Sequence, residues 1–209
     1  MIENVISVTV NEDILSRERA FKRCFDLVGA LVALVLFSPL FLGVYLMLVW
    51  GDGPVIFRQE RVGFRGRTFI LYKFRSMIVT AEQKGPQLAN GIDDHRLTRI
   101  GRFLRTHHLD ELPQLWNVLK GDMSFVGYRP ERPFFIQQIM QRNPDYELLY
   151  NIRPGVTSIA TLENGYTDSM EKMLKRLELD LGYMQNCSLI LDLRILGITF
   201  WRIISGQRF

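Results

Sequence analysis

From Leu27 to Trp50 the chain runs for 24 residues without a charged side chain, bracketed by Asp26 and Asp52. A straight helix of that length reaches about 36 Å, against a hydrocarbon core of about 30 Å. The run starts late and follows a mixed-charge stretch with Glu12, Asp13, Glu18 and Asp26, unlike the basic start of a cleavable signal peptide, so it is expected to stay in the mature protein. Ser38-Pro39 divides it into two apolar halves. Proline deletes one backbone hydrogen bond and clashes with the preceding turn, and the neighbouring serine hydroxyl can satisfy the freed carbonyl. A kink is the minimum consequence. With a sharp kink each half covers roughly 17 Å, about one leaflet. Arg17, Arg19, Lys22 and Arg23 precede the run, and Arg58, Arg61, Arg65 and Arg67 follow it. The positive-inside rule puts both flanks in the cytoplasm, which a straight crossing cannot do. The flanks favour a re-entrant helix over a full span or a buried core helix.

The 209 residues suit one compact domain with an appendage. With 47% hydrophobic and 23% charged residues, a collagen-like, low-complexity or wholly disordered chain is excluded. Cys24 and Cys187 form neither a disulfide framework nor a metal-ligand spacing, which points to a reducing compartment. Of the 26 basic residues, 20 are arginine. Arginine's planar fork suits bidentate contacts to phosphate or carboxylate, so the bias points to an anionic partner. The net charge of +4 comes with no nucleic-acid motif, and no nucleic-acid partner is expected.

The periodicities predict an α+β chain, mostly helical. Residues 1–26 read as a weakly amphipathic approach to the membrane, with Ile14, Leu15, Phe21 and Phe25 among charges. Residues 54–75 read as a hairpin around Gly63-Phe64-Arg65-Gly66. The polar stretch 80–93, with Gly85-Pro86 and Asn90-Gly91, is a connector or a lid. Residues 94–110 are helix-like, with Arg96, Arg99, Arg102 and Arg105 at every third position. That spacing fans them over half a helix, where most meet solvent or headgroups. Pro113 to Lys120 is a short helix closed by Gly121. Residues 132–150 read as a helix interrupted near Asn143-Pro144. Residues 169–185 form an amphipathic helix with Met170, Met173, Leu174, Leu177 and Leu181 inward. Residues 189–209 are apolar but hold Asp192, Arg194 and Arg202, suiting a membrane surface or a cap on the core. The division expected is 1–52 for the N-terminal approach and membrane helix, and 53–209 for a cytoplasmic domain.

Asp110 and Glu111 stand side by side at the entrance of the predicted 113–120 helix. A helix N-terminus attracts anions and paired carboxylates attract a hard cation such as Mg²⁺, so a metal-bound phosphate is a coherent occupant. An aspartate held ionised by nearby arginine is also a usable nucleophile. Arg105 and Arg129, the latter in a glycine-bearing loop beside Pro130, would neutralise phosphoryl oxygens. An acidic helix cap with no further role accounts for the spacing alone. His95, His107 and His108 lack zinc-ligand spacing.

Ten segments in order over nearly the whole chain resemble the bacterial sugar transferase family, the small membrane-anchored phosphoglycosyl transferases. They are Lys22-Arg23 to Asp26; Ser38-Pro39; Gly53 to Phe57; Gln59 with Arg61 and Gly63; Lys73 to Met77; Asp94 with Arg96 and Thr98; Gly101 with Leu104-Arg105; Leu109 to Gln114; Asn117 to Ser124; and Arg153 to Thr157. The resemblance implies a monotopic protein on the cytoplasmic face of the bacterial inner membrane, held by a re-entrant helix broken at Ser38-Pro39. It implies a UDP-sugar donor, a polyprenyl phosphate acceptor, and Mg²⁺ or Mn²⁺ as cofactor. In the implied reaction Asp110 takes the sugar phosphate with release of UMP and passes it to the lipid, starting glycan assembly. It makes Glu111 the partner carboxylate for metal or proton, and Arg105, Arg129 and Lys73 phosphate-binding. Arg153, Thr157, Glu163, Asn164 and Tyr166 become candidate contacts to the nucleotide sugar, although a polar surface loop explains Glu163 and Asn164 equally. The chain is compatible with a homodimer.

The sequence departs from the family's pattern at Tyr128, where a proline is usual, at Ser158, where a glycine is usual, and at Tyr166, where an arginine is frequent. These losses fall where the nucleotide sugar is expected. A pyrophosphate hydrolase using water as acceptor, and a non-catalytic membrane scaffold, are the alternatives.

Overall fold

The computed structural model of the protein describes residues 12–83, 85–88 and 91–205. Residues 1–11 of the expected amphipathic approach, and Asn90 of the expected Asn-Gly turn, lie outside the described residues. The apolar run forms α1 (Glu12–Leu36) and α2 (Ser38–Val49), which meet at a 60° bend. Pro39 lacks the amide that would bond the Val35 carbonyl, and the Ser38 hydroxyl donates to that carbonyl instead at 2.7 Å. Among the described residues no single helix is long and apolar enough to cross a membrane; the bent pair passes that test only together. Leu31, Val32, Val35, Leu36 and Leu42, on both sides of the bend, are exposed.

The hairpin takes its expected place as β1 (Ile56–Val62) and β2 (Thr68–Phe74), antiparallel with Ile56 opposite Phe74 and Val62 opposite Thr68. Next come α3 (Arg99–Thr106) and α4 (Gln114–Lys120). Gly121 closes α4 at φ 95, in the left-handed region that glycine enters without steric cost. Asn117 of α4 is fully buried and covers the free edge of β2: its Oδ1 accepts from the Tyr72 amide at 3.1 Å and its Nδ2 donates to the Ile70 carbonyl at 2.7 Å.

The helix expected from residue 94 starts later. The Asp94 carboxylate accepts the Arg96 amide at 3.0 Å and its guanidinium at 2.8 and 2.5 Å, and the Thr98 side chain then caps Gly101 at 2.9 Å. That local bonding competes with helix and delays it. Arg96 is therefore buried rather than solvated, while Arg99 and Arg102 are exposed as expected.

A parallel strand pair, β3 (Ser124–Val126) with β4 (Gly155–Thr157), stands where the sequence pattern over 121–130 shows only a loop. Its backbones approach so closely that a Cβ on Gly127 would sit 2.2 Å from the Arg153 carbonyl oxygen. The chain continues through α5 (Pro133–Met140), a 3₁₀ run at Pro144–Asn151, α6 (Ile159–Asn164), α7 (Met170–Asn186) and α8 (Leu189–Ser205). The largest apolar cluster joins Phe135, Ile136 and Ile139 of α5 to Tyr146 and Leu149 of the 3₁₀ run and Met173 and Leu177 of α7. The architecture is α+β, mostly helical.

Both arms of the bent pair are fastened to this body. Lys22 donates to the Val126 carbonyl at 3.0 Å and pairs with Asp192 of α8. Arg23 binds the carbonyls of Val118 and Leu119 at 2.7 and 3.1 Å, and Asp26 accepts from the Ser124 hydroxyl and the Phe125 amide. At the other end Arg75 donates to the Leu48 carbonyl at 2.8 Å, and Val44 and Leu48 pack on Phe74 and Leu104. Lys22 and Arg23, read as flank charges, are thus engaged by protein.

Candidate active site

Asp110 and Glu111 occupy a 3₁₀ turn of their own, Leu109–Glu111, between α3 and α4. The turn stands just ahead of α4, as expected, with Pro113 as the N-cap of the helix and Gln114 its first residue. The turn is entered through His108 at φ 53, a left-handed conformation uncommon for a residue with a Cβ. β2 brings Lys73 to the pair, and the segment after β3 brings Arg129. Glu111 Oε1 accepts from Lys73 Nζ at 2.6 Å and from Arg129 Nη2 at 2.8 Å.

The pKa values of the two carboxylates are pushed in opposite directions. Burial raises Glu111, but Arg129 and Lys73 outweigh it and hold Glu111 well below the usual carboxylate range. Asp110, 3% exposed, is pushed up by burial and by Glu111; Lys73 opposes this most, then Arg105 and His108. Arginine was expected to keep Asp110 ionised, so the order of causes is corrected: burial leads and a lysine is the largest counterweight. No group among the described residues donates a hydrogen bond to Asp110. Lys73 is lowered by burial, against the pull of Glu111, and His108 is also lowered by burial.

Lys73, Arg105, Asp110, Glu111, Arg129 and Tyr166 line one cleft of about 430 Å³. Arg105 Nη1 also holds the Gly91 carbonyl at 3.2 Å. Ala81, Glu82, Gln87 and Leu88 form part of the wall, where Arg132 grips Glu82 at 2.7 and 3.0 Å and Arg96 holds the Leu88 carbonyl at 2.8 Å. A hard divalent cation commonly takes one or two carboxylates, with water and phosphate completing its shell. Asp110 and the Glu111 oxygen without a hydrogen bond fit that pattern, although among the described residues no group of three His, Cys, Asp or Glu gathers here or elsewhere.

Of the candidate sugar-nucleotide contacts only Tyr166 lines the cleft. Arg153 donates to the Gly121 carbonyl and lies over Phe64, Thr157 bonds Thr199, and Asn164 holds the Lys172 carbonyl. Glu163 is exposed. The reading missed Glu131 and Arg176, which also line the cleft and pair at 3.4 Å, and Asp180 behind them. A signal existed: Arg176 and Asp180 fall inside the apolar stripe of α7, where a charge needs a partner.

The model of the bacterial sugar transferase family matches residues 17–206. Over 186 residues the chain is 41% identical to a UDP-N-acetylgalactosamine-undecaprenyl-phosphate N-acetylgalactosaminephosphotransferase of Aeromonas hydrophila, covering 88% of this chain and 44% of that protein. It is 41% identical to UDP-glucose:undecaprenyl-phosphate glucose-1-phosphate transferases of Escherichia coli and Caulobacter vibrioides. These matches cover 88% and 83% of this chain, and 40% and 66% of those proteins. The chain thus spans less than half the length of the first and second of these relatives.

Proposed function

The chain belongs to the bacterial sugar transferase family, and from that premise we propose that it transfers a sugar 1-phosphate from a UDP-sugar to polyprenyl phosphate at the cytoplasmic face of the cell membrane. The observation that carries the reading is Asp110: a buried carboxylate on the cleft wall, bonded to no donor among the described residues, with Lys73 and Arg105 near enough to favour its charge. An Asp110 oxygen attacks the sugar-linked phosphorus, the bond to the UMP oxygen breaks, and UMP leaves. An oxygen of polyprenyl phosphate then attacks the same phosphorus, breaking the acyl-phosphate bond, restoring the carboxylate and giving polyprenyl-diphosphate-sugar. Arg129 and Lys73, held in place by Glu111, together with Arg105 of the same cleft, offset the charge that spreads over the phosphoryl oxygens. Mg²⁺ or Mn²⁺ on Asp110 and Glu111 would add charge neutralisation at the diphosphate.

The membrane part of the reading is a re-entrant helix. Its support is the 60° break at Pro39, the exposed apolar bend and the return of both arms to one body. With Cys24 and Cys187 replaced, single cysteines placed before Lys22 and after Gly53 should both label from the cytoplasmic side. Labelling from opposite sides refutes the topology.

The deciding experiment is UMP release by protein in nanodiscs with Mg²⁺, undecaprenyl phosphate and a panel of UDP-sugars. UDP-N-acetylgalactosamine and UDP-glucose belong in the panel because relatives at the same 41% identity carry those donors in their names. Turnover should require the lipid phosphate and vanish in Asp110→Asn. Product without lipid would make water the acceptor, and full turnover in Asp110→Asn would move the nucleophile elsewhere.

A further inference from the structure

The main chain of Arg129 is held by a second carboxylate. Its amide donates to Asp180 Oδ2 of α7 at 3.4 Å, and Asp180 is 1% exposed. The other oxygen, Oδ1, has no partner among the described residues. It borders a cavity of about 10 Å³, close to the room one water needs, whose walls also include Tyr146, Arg176, Glu131 and Arg129. The Tyr146 hydroxyl and Arg176 Nε are likewise buried without a partner.

Two of the three positions at which the sequence departs from the family's pattern converge on this carboxyl. Tyr128 is fully buried, its hydroxyl has no partner among the described residues, and burial, then Tyr150 and Asp180, raise it; the Ser158 hydroxyl favours the ionised form of Asp180.

We propose that Asp180 is a positioning residue: in its ionised form it fixes, through the Arg129 amide, the backbone after β3 that aims the Arg129 guanidinium at Glu111 and at phosphate in the cleft. The inference rests on the reading of the cleft as a phosphate site. The groups facing Asp180 are Arg176 on its own helix, the Arg129 amide and Glu131 from the segment after β3, Ser158 from the start of α6, Tyr128, and Tyr146 from the 3₁₀ run. Burial outweighs the help from Arg176, the amide and Ser158, and pushes Asp180 up to about 7. Stability is therefore lost as pH rises from the ordinary aspartate value of about 4 to about 7, where the loss is complete because Asp180 is ionised in both states. Activity and stability should then respond to this side chain in opposite directions, which a purely structural carboxylate would not produce.

The test compares the full chain with Asp180→Asn in detergent, following thermal unfolding and UDP affinity by calorimetry from pH 5.5 to 8.5. The wild type should lose stability between pH 5.5 and about 7 and then level off, a loss the variant does not show, leaving the variant the more stable at pH 8.5. At that pH the variant should bind UDP about tenfold more weakly, the scale of one hydrogen bond to a charged group. The affinity ratio should shrink as pH falls through 7, and taking the ratio cancels the titration of UDP and of His108. In an Arg129→Ala background the Asn substitution should not weaken UDP binding further. A pH-independent ratio near one overturns the inference alone. A variant both weaker in binding and less stable at every pH also overturns it. A wild type that does not bind UDP removes the phosphate-site reading, and the inference with it.

Discussion

Replacing Asn117 by leucine tests whether the hairpin that carries Lys73 is held in place from α4. The two side chains branch alike at the γ carbon and leucine is the larger, so the change removes hydrogen bonds and adds volume rather than creating a void. It strands the Tyr72 amide and the Ile70 carbonyl on the buried edge of β2, and deprives Asp122 of its 3.1 Å bond from Asn117 Nδ2. Each stranded backbone group costs about 1–3 kcal/mol, and the added apolar burial of leucine returns roughly 1–2. The net loss is about 3 kcal/mol. For a chain of 209 residues that lowers Tm by about 6–12 °C. Thermal unfolding in detergent gives the magnitude, and hydrogen exchange at the Tyr72 amide gives the location. Asn117→Asp keeps an acceptor for Tyr72 but turns a second oxygen toward the Ile70 carbonyl, so it should destabilise at least as much. A Tm within about 2 °C of wild type, with Tyr72 protection unchanged, would refute the claim that Asn117 anchors this edge.

Glu111→Gln should leave Lys73 and Arg129 without their shared carboxylate and cost about 1–3 kcal/mol, discounted for side chains 15–28% exposed. Because burial would then lower Lys73 further, the variant should regain stability as pH rises; an unchanged Tm across pH would contradict the pairing. On the nucleophile reading, kcat/KM for UMP release should fall as pH drops through a value above the ordinary aspartate pKa of about 4, because the folded pKa of Asp110 is raised. Activity level down to pH 4 would rule this out. Gly101→Ala sets a Cβ 1.7 Å from the Ser76 carbonyl oxygen, backbone that has no flexible end to yield, and should abolish folded yield, measured by size exclusion.

How much was legible depends on whether a residue's partner is local. The break at Pro39, the Ser38 bond to the freed carbonyl, the turn of the hairpin, α4 with its Gly121 end and the apolar stripe of α7 were all readable, because each rests on neighbours within about four positions or on a repeat of that spacing. The failures are of two kinds. Asp94 and Thr98 looked like ordinary helix residues because the pattern reports average preference and not which carboxylate oxygen an amide will find. The β3–β4 pair joins two three-residue strands separated by nearly thirty positions, too short for any periodicity to register. Arg105, Arg129 and Lys73 were singled out, yet that both Lys73 and Arg129 would end on the same Glu111 oxygen is tertiary information.

That sharing is what separates two adjacent carboxylates into different roles. In water they would titrate alike, within about half a unit. Here the direct ion pairs fall to Glu111, so it remains charged and its partners remain aimed. Asp110 receives only the field of those cations, without their hydrogen bonds, and burial raises it. A carboxylate bonded to two or three donors is a poor nucleophile, because those bonds must be broken before its lone pair can reach phosphorus. One held by field alone keeps its lone pairs available. On the proposed reaction Glu111 therefore absorbs the bonding capacity of Lys73 and Arg129 until phosphate arrives. The same reasoning makes Glu111→Ala worse for activity than Glu111→Gln, because alanine frees both cations to bond and quiet Asp110. Equal activity of the two variants in the UMP-release assay would remove this account of why the pair is adjacent.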